Sequence, residues 1–596
     1  MKTRQEQLKE DCWDLSTFYE SDEAWEIELA ELAQEDGPHW PGIDAFKGRL
    51  QRGPVELKGL LDVYFSFQRK IDSLYTYAHL RHDEDTANDD TKVRYERILS
   101  LLHLFNHETA WIEPEILGFD EDLLKTCLSS DLLKDYNFYL KKIFRKKPHT
   151  LSLEQEELLA LAQKALSCSG KTFSALNNAD FQFGKVQDQE GSEHDLTHAR
   201  YGLFLRSKDR VLRKAAYETL HGKYLEYQNT FAELFSSNLQ SKLFQAKARN
   251  YPSSLHAALF SNQIDYSVYE SLVEALKKNV SVLHRYIDLR KKLLSYESLH
   301  AYDLYLPLME NSERHYSFEE AKDLVIASVE PLGVEYQEKL RKGLNDERWV
   351  DVYENLNKRS GGYSSGCYDS HPYILLNYTG NLRDVFTLAH EAGHSMHSLL
   401  SRETQSYAYA DYSIFVAEIA STFNEELLTQ YLLKKASSPD ERMYLIQQKI
   451  EDIRLTLFRQ GMFAQFEWQM HQKVQAQEPL TASSLSRDYL ALNMEYFGKS
   501  LEFDEFLSIE WARIPHFYAS FYVYQYATGI SAALSMASNV LKTGQTQAYL
   551  DFLKAGGSED PLVLLKQAGV EIKDAVGSCI EHFASLLSQF EKEMQF

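Results

Sequence analysis

Helix-breaking residues are scarce in this chain, and their scarcity constrains its fold more than any other feature. The 596 residues include 26 Gly and 13 Pro. Both residues are least tolerated inside helices, so a long chain with few of them favours long helices. Apolar residues also recur at spacings of three and four, for example from Leu60 to Ala78, as on the buried face of an amphipathic helix. We therefore predict a mainly α-helical protein with two or more packed subdomains, because a single core does not keep growing to this length.

Charge and cysteine content argue against several classes of partner. The chain has 64 basic and 88 acidic residues, a net charge of -24. A surface this acidic repels phosphate backbones and anionic lipids, so we expect neither nucleic acid nor membrane as a partner. No apolar run approaches the length of about 18 residues needed to span a bilayer, and the N-terminus lacks the apolar core of a secretion signal. The five cysteines are widely spaced, as is typical of reduced thiols. We expect a cytoplasmic protein and favour a monomer.

Strand patterns are rare in the sequence. The clearest is Tyr373 to Asn377, a short β-prone run between Pro372 and Gly380. Two turn-rich stretches, 187–194 and 358–370, predict long loops, and the first suggests a boundary between an N-terminal helical domain at 1–200 and the remainder at 201–596. The acidic stretch 82–90 lacks the glycine and the glutamate spacing of a calcium loop, so we interpret it as a solvated helix end.

His390-Glu391-Ala392-Gly393-His394 matches the His-Glu-x-x-His pattern. In that pattern two imidazoles lie on one helical face, where they can share a metal ion, and a glutamate stands beside them. Asn381 is a suitable N-cap with Asp384 three residues on, so the helix should begin near Leu382. The apolar stripe falls on the opposite side and comprises Val385, Leu388, Ala389, Ala392, Met396 and Leu399. We therefore expect the histidines to face a cleft.

Two further residues of this helix, Gly393 and His397, need a structural explanation. A glycine in a helix interior costs about 1 kcal/mol relative to Ala, so we predict that a close neighbour requires the missing side chain. His397 shares the side of His394 but lies two turns from His390, too far for one tetrahedral site. We interpret it as a residue behind the ligands or as merely polar.

A catalytic zinc takes three protein ligands and keeps one position open, so a third donor is needed. Leu400 occupies the position where one variant of the motif has a third His. The alternative is a glutamate on a following helix, and Ser413 to Glu425 has helical periodicity with Glu418 on its polar side. Glu425, two turns on, could orient a ligating imidazole. The pattern alone also allows Glu418 to be an ordinary surface glutamate.

A third cluster runs from Pro515 to Tyr526, with Pro in the first turn of a predicted helix. One face of that helix would carry Tyr518, Tyr522, Gln525, Tyr526 and Gly529. Phenols at this spacing are usually packing groups, but a peptidase also needs hydrogen-bond donors aimed at its oxyanion. His516 and Tyr522 are the candidates.

The chain resembles the oligoendopeptidase F family and, more distantly, the thimet oligopeptidases. The resemblance covers nearly the whole sequence and is carried by Trp13 to Leu15, Tyr77 to Thr86, Ala248 to Ser254, Tyr302 to Tyr305, the His390 motif and the tyrosine cluster. It implies a bowl-shaped, multi-helical, zincin-like fold with a deep central channel, a very small β-sheet beside the motif helix, and one Zn²⁺ per chain. The implied substrates are short peptides, cleaved in a catalytic zinc-peptidase domain at 201–596.

The resemblance also implies roles for individual residues. His390, His394 and Glu418 become the metal ligands and Glu391 the general base. His516 and Tyr522 become transition-state donors, and Tyr526 lines the site. Gly529 departs from the thimet-type pattern, which has a further tyrosine there.

The remaining expectations concern substrate binding. Tyr373 to Asn377 is placed to pair with an extended substrate backbone, and the loop from Gly361 to Gly366 could close over it. We list Gly362, Tyr363, Asn377, Tyr518 and Tyr526 as candidate substrate contacts. Two alternatives stay open at this point: a zinc hydrolase of a non-peptide amide, and a helical scaffold with a structural zinc. Structural sites usually use four ligands including Cys, and only Cys367 is near in sequence.

Overall fold

A computed structural model describes residues 2–33, 40–309 and 314–594. The chain forms two compact units, each assembled from three separate segments. The first unit comprises residues 1–148, 313–432 and 536–569, and the second comprises 149–312, 433–535 and 570–596. These units do not coincide with a division into 1–200 and 201–596, and that division stays a prediction.

Helices dominate both units, which confirms the mainly α fold class. In the first half of the chain the α-helices are α1 Asp22–Leu32, α2 Pro41–Asp44, α3 Pro54–Glu84, α4 Asp89–Thr109, α5 Ile112–Leu117, α6 Glu121–Ser129, α7 Asn137–Arg145, α8 Leu153–Leu166, α9 Cys168–Ala175, α10 His198–Phe204, α11 Arg210–Glu226, α12 Gln228–Ala248, α13 Ser254–Phe260, α14 Tyr266–Lys278 and α15 Val280–Leu294. In the second half they are α16 Phe318–Ser328, α17 Val334–Asn345, α18 Leu382–Thr404, α19 Tyr407–Ala410, α20 Ile414–Lys435, α21 Pro439–Ile453, α22 Gln460–Gln475, α23 Ala482–Phe497, α24 Glu505–Ser508, α25 Tyr524–Thr543, α26 Gln547–Ala555, α27 Pro561–Gln567 and α28 Ile572–Glu593.

The strands are short and form three small sheets. They are β1 Lys185–Gln187, β2 Glu193–Asp195, β3 Leu299–His300, β4 Val350–Asp351, β5 Tyr363–Ser365, β6 Tyr373–Leu375 and β7 Leu501–Glu502. β1 and β2 form a hairpin and β3 pairs with β7, whereas β4, β6 and β5 make a three-stranded sheet in the first unit. The stretch 187–194, predicted as a long loop, forms the turn of the β1–β2 hairpin with the adjoining strand ends, and the stretch 358–370 contains β5. The predicted strand at 373 exists as β6.

The core of the first unit surrounds α3 and reaches Tyr373 and Leu375 of β6. Part of the stretch 82–90, predicted as a solvated helix end, is buried: Asp83 is 1 % exposed and Glu84 5 %, whereas Asp89 and Asp90 are exposed as predicted. Glu84 pairs with Arg4 at 3.0 Å. The prediction was wrong for Asp83 and Glu84 because cationic side chains from distant parts of the sequence cover these two carboxylates, and the local charge pattern contains no sign of them.

α18 begins where its capping residues predict. The Asn381 side chain accepts the Asp384 N–H at 3.1 Å, and the Asp384 carboxylate in turn accepts the N–H groups of Thr379 and Gly380 at 2.7 and 2.9 Å. The predicted apolar stripe is buried except for the half-buried Leu399. α18 as a whole packs against α16 and α26.

Gly393 allows α20 to cross α18 at backbone contact. A Cβ at this position would lie 2.6 Å from both the Ala420 carbonyl oxygen and the Ser421 Cα. This confirms the prediction that a close neighbour requires the missing side chain. The crossing also brings Glu418, two residues before Ala420 on α20, towards the α18 histidines.

Candidate active site

Three predicted ligands converge where α18 and α20 cross. The Nε2 atoms of His390 and His394 are 3.2 Å apart. Glu418 Oε2 lies 3.4 Å from His390 Nε2 and 3.8 Å from His394 Nε2. Among the residues described, this is the one group of His, Cys, Asp and Glu whose donor atoms come together in this way.

The donor set fits a metal ion in kind and in spacing. Two imidazole nitrogens and one carboxylate oxygen are the ligands of many catalytic zinc sites. Donors at about 2.0–2.1 Å from one tetrahedral ion stand about 3.3 Å from one another. The observed 3.2, 3.4 and 3.8 Å lie close to that value. His390, His394 and Glu418 could therefore hold one zinc ion.

A hydrogen bond from behind fixes the ring of His390. Its Nδ1–H donates to Glu425 Oε1 at 2.5 Å, so the lone pair of Nε2 points to the other donors. The ring of His394 makes a corresponding backbone hydrogen bond with Ala417. α20 thus supplies one candidate ligand and also orients the two imidazoles of α18.

Burial and neighbouring charges shift the pKa values of these groups. Burial, together with the carboxylates of Glu418 and Glu425, raises the pKa of Glu391 to about 7. A hydrogen bond with His390 lowers the pKa of Glu418 against the effect of burial. Burial and the neighbouring His390 lower the pKa of His394 to about 4, which favours the neutral imidazole that can bind a metal.

Glu391 lies between the metal ligands and β5. It is 7 % exposed, and it accepts a backbone hydrogen bond from Ser364. The Ser364 hydroxyl is 2.8 Å from that of Ser395, which lies one turn further along α18. The N–H of one β5 residue therefore reaches the candidate general base.

The structure corrects the strand expected to bind substrate. β6 is the central strand, with Ile374 N–H donating to the Trp349 carbonyl on one side and β5 paired on the other. Both edges of β6 are thus occupied by neighbouring strands, so its backbone is not available to pair with a substrate. β5 has the second edge, because Ser364 stands opposite Ile374 and so turns its own N–H and C=O outwards; the N–H bonds to Glu391, which leaves the C=O on the outer edge. In the part of the chain described, no strand occupies that outer edge of β5.

The other predicted substrate contacts in the first unit lie beside β5. Gly362, expected in a closing loop, leads directly into the strand and is exposed. The side chain of Tyr363 points to α3, where its hydroxyl donates to Asp83 at 2.8 Å. Asn377 donates to the carbonyls of Arg359 and Gly361 at 3.0 and 2.8 Å. The residues from 363 to 365 therefore form an ordered strand rather than a free loop.

His397 belongs to the packed interior behind the ligands. It is 1 % exposed, and its ring stacks on Tyr412 with centroids 3.6 Å apart. Burial lowers the pKa of His397 to about 3, so the ring is neutral. Its ring also contacts Phe552 of α26, at 5.7 Å between centroids.

The predicted tyrosine helix is interrupted. Pro515–Tyr518 forms a single 3₁₀ turn, Phe521 has a φ of 59°, and α25 begins only at Tyr524. The prediction of one continuous helix was wrong because Glu467, on α22, accepts the Phe521 N–H at 2.7 Å and stabilises the left-handed turn.

The interrupted segment still gathers three of the predicted rings within the second unit. His516 and Tyr522 have centroids 5.9 Å apart, and Tyr526 lies 5.9 and 5.4 Å from them. Tyr518 is separate and stacks on Phe173 at 4.3 Å. Gly529 is buried within α25.

Sequence reasoning missed Ser364 and Asp83. Ser364 lies in a stretch interpreted as a mobile loop, and only its pairing with β6 reveals its contact with Glu391. Asp83 belongs to the stretch from Tyr77 to Thr86 that supports the family resemblance. Its place in that stretch was the one sign in the sequence that Asp83 has a role.

A mainly helical fold that carries a His-Glu-x-x-His helix and a third carboxylate defines the class of metallopeptidases. Comparisons with known proteins agree. Residues 203–582 match the family model described as peptidase family M3, and residues 115–183 match the model described as oligopeptidase F. The oligopeptidase PepF of Bacillus subtilis (strain 168) is 42 % identical over 594 residues, which cover 99 % of this chain and 88 % of that protein.

Solved structures give the same result. The crystal structure of a putative peptidase from Chlamydophila abortus shares 43 % identity with a TM-score of 0.93, covering 99 % of this chain and 100 % of that one. The oligoendopeptidase-F structure from Enterococcus faecium shares 34 % identity with a TM-score of 0.73, covering 97 % and 99 %. The chain belongs to peptidase family M3, in the oligoendopeptidase F group, and is a metallopeptidase. This membership argues against the non-peptide amidase and the structural-zinc scaffold.

Every helix within the described ranges is too short or too polar to cross a membrane.

Proposed function

We propose that this protein is a zinc-dependent endopeptidase that hydrolyses short oligopeptides, with one zinc ion held by His390, His394 and Glu418. The observation that carries the proposal is the convergence of their three donor atoms within 3.2 to 3.8 Å, beside Glu391. A zinc ion held there supplies Lewis acidity, which lets a water molecule lose a proton near neutral pH.

Glu391 is proposed to be the general base. Burial raises its pKa to about 7, so that it can take a proton from the attacking water and later return it to the leaving amine. The Ser364 N–H holds the Glu391 carboxylate in place and, being neutral, adds no charge beside it. A base with a pKa near the working pH suits both directions of proton transfer.

His516 and Tyr522 are proposed to donate hydrogen bonds to the oxyanion, with Tyr526 beside them. Their mutual approach to within 6 Å supports a common role. Burial lowers the pKa of His516, which favours a neutral ring able to donate one hydrogen. Tyr518 remains a predicted substrate contact, although its stacking on Phe173 favours packing.

The substrate backbone is proposed to pair with the outer edge of β5 through the Ser364 carbonyl, since the Ser364 N–H already bonds to Glu391. Backbone pairing gives affinity with little dependence on side chains, as suits an enzyme for varied peptides. Gly362, Tyr363 and Asn377 then act by shaping this strand. The relatives named oligopeptidase and oligoendopeptidase support peptides as the substrate class. A cytoplasmic location, supported by five cysteines that form no disulfide, and a monomeric state complete the proposal.

Replacing Glu391 with Gln tests the proposal. The carboxamide keeps the shape of the side chain but cannot accept the proton, so turnover of a mixed peptide library should fall on the order of 10²- to 10⁴-fold. Zinc content after dialysis should match that of the wild type. A chelator should abolish wild-type cleavage, and added zinc should restore it. Cleavage that survives complete metal removal, or a Glu391→Gln enzyme with near-normal turnover, would refute the mechanism.

A further inference from the structure

Asp83, at the end of α3, has no part in the chemistry above, yet it holds the first residue of β5. Its Oδ2 accepts the Tyr363 hydroxyl hydrogen at 2.8 Å. His79 Nε2 lies 3.1 Å from the same oxygen, and Arg359 Nη1 lies 3.3 Å from both carboxylate oxygens. Because Asp83 is 1 % exposed, these three groups take the place of water around it.

These partners keep Asp83 charged in spite of its burial. Burial raises the pKa of a carboxyl group, but the hydrogen bonds from His79 and Tyr363 and the charge of Arg359 outweigh it and lower the pKa of Asp83. Hydrogen bonds to a charged acceptor are stronger than those between neutral groups. The Tyr363–Asp83 contact is therefore a firm restraint.

The same end of α3 also holds the backbone that leads towards β5. The N–H and the hydroxyl of Thr86 both donate to the Asn357 carbonyl, at 3.0 and 2.9 Å. The Arg359 N–H donates to the Asp83 carbonyl at 3.1 Å. Residues 357 to 359 are thus tied to α3 by backbone contacts.

Between that anchor and β5 lie two exposed glycines, Gly361 and Gly362. Gly361 has a φ of 90° and nothing within 4 Å of the position of a Cβ. The Gly361 carbonyl accepts a hydrogen bond from the Asn377 side chain at 2.8 Å, which restrains this short link from the side that follows β6. The Tyr363 side chain adds a second restraint, from α3, at the first residue of β5.

β5 has a different neighbour on each face. Successive side chains of a strand point to opposite sides, so Tyr363 faces Asp83 while Ser364 faces Ser395 of α18. The Ser364 backbone also bonds to Glu391. A shift of Tyr363 would therefore move the strand edge relative to the candidate general base.

We propose that Asp83 is a positioning residue for peptide substrates: acting through Tyr363, it fixes the outer edge of β5 against which the peptide backbone pairs. This inference rests on the proposed function, in which β5 binds the substrate. A peptide long enough to extend across β5 depends on the position of that edge. A peptide too short to extend along it depends on the edge much less.

Tyr363→Phe tests the inference, with Tyr77→Phe as its matched control. Tyr77 lies on α3 and donates its hydroxyl to Asp22 at 2.7 Å, so the control removes an equivalent tyrosine–aspartate hydrogen bond. KM and kcat are measured for a series of peptides of increasing length. Tyr363→Phe should raise KM for the longest peptides by about tenfold, with a much smaller rise for the shortest. Tyr77→Phe should lower thermal stability without changing how KM depends on length.

Asp83→Asn should reproduce the length-dependent effect, and combining it with Tyr363→Phe should add little, because both changes break one contact. If KM of the wild-type enzyme does not fall as peptides lengthen, pairing with β5 is wrong and the positioning role fails with it. If wild-type KM falls and KM of Tyr363→Phe falls equally steeply, the role of Asp83 alone is overturned.

Discussion

At the residue scale, the two carboxylates that α20 brings to the histidines differ in what they contact. Glu418 approaches the Nε2 atoms of both rings, at 3.4 and 3.8 Å. Glu425 instead accepts the Nδ1–H of His390 on the far side of the ring. The first position suits a ligand and the second suits a residue that orients a ligand.

This difference predicts unequal effects on metal binding. Glu418→Ala removes an anionic donor and should leave the dialysed protein with little zinc. Glu425→Ala should weaken zinc binding only about 10- to 100-fold, because the imidazole keeps its donor atom and loses its orientation. Zinc content and titration with a competing chelator distinguish the two variants. A Glu418→Ala protein with one zinc per chain would show that the third ligand lies elsewhere.

A second prediction at this scale concerns His516 and Tyr522. A donor aimed at an oxyanion acts mainly in the transition state, so Tyr522→Phe and His516→Ala should each lower kcat on the order of 10²- to 10³-fold with little change in KM. Tyr524 is a suitable control, since it lies in the same segment but is 2 % exposed in the core. Tyr524→Phe should lower the melting temperature and spare kcat. If kcat of Tyr522→Phe is unchanged on several peptides, the tyrosines serve in packing and not as oxyanion donors.

At the scale of elements, the site depends on how closely α18 and α20 cross. The atoms that a Cβ at Gly393 would meet are backbone atoms of α20, which cannot rotate away. Glu418 and Glu425 lie on α20 on either side of this contact. The crossing distance therefore controls the distance between the ligands of the two helices.

Gly393→Ala should separate the helices and harm both stability and metal binding. Overpacking of this kind costs about 1–3 kcal/mol of unfolding free energy. Gly577→Ala is the matched control, because Gly577 lies inside α28 with open space around its Cβ position. That variant should gain about 0.5–1 kcal/mol from helix propensity. Urea denaturation and zinc titration of both proteins check the prediction, and a Gly393→Ala protein that behaves like Gly577→Ala would contradict it.

The extent to which elements could be predicted from the sequence follows from how local their causes are. The start of α18 depends on Asn381 and Asp384, three residues apart, and was predicted correctly. The place of β6 in its sheet depends on β4 and β5, which pair with it from elsewhere in the sequence. The turn at Phe521 depends on Glu467, 54 residues earlier. The sequence around Phe521 does not predict that contact, because no glycine marks the residue that adopts the left-handed conformation.

At the scale of the whole molecule, Glu467 links the pH to stability. It is fully buried in the second unit, and burial raises its pKa to about 8 against the opposing effects of the Phe521 N–H and the Lys242 charge. The folded pKa of Glu467 lies above its unfolded value of about 4.5, so the folded state is favoured by holding the Glu467 proton. This contribution to the unfolding free energy is complete below about pH 4.5 and is lost as the pH rises towards 8.

Glu467→Gln should remove this pH dependence. A neutral amide at this site has no proton to lose. Between pH 5 and pH 8 the unfolding free energy of the variant should therefore fall less steeply than that of the wild type. The two slopes should differ by roughly 1 kcal/mol per pH unit. Glu478→Gln, a substitution at an exposed position, is the control and should follow the wild type. Parallel curves for wild type and Glu467→Gln would show that the buried carboxyl does not retain its proton in this range.

The interleaved segments of the two units have a consequence for synthesis on the ribosome. Residues 536–569 belong to the first unit, where Gln405, just after α18, donates to the Lys554 carbonyl at 2.8 Å and a Cβ at Gly556 would lie 2.2 Å from Ser401 Oγ. Domains of continuous sequence can fold in turn as they emerge. Here the ribosome translates all the candidate ligands, from His390 to Glu418, long before it supplies the segment that packs against their helix. The nascent chain therefore cannot complete the unit that contains the metal site until most of its translation is over.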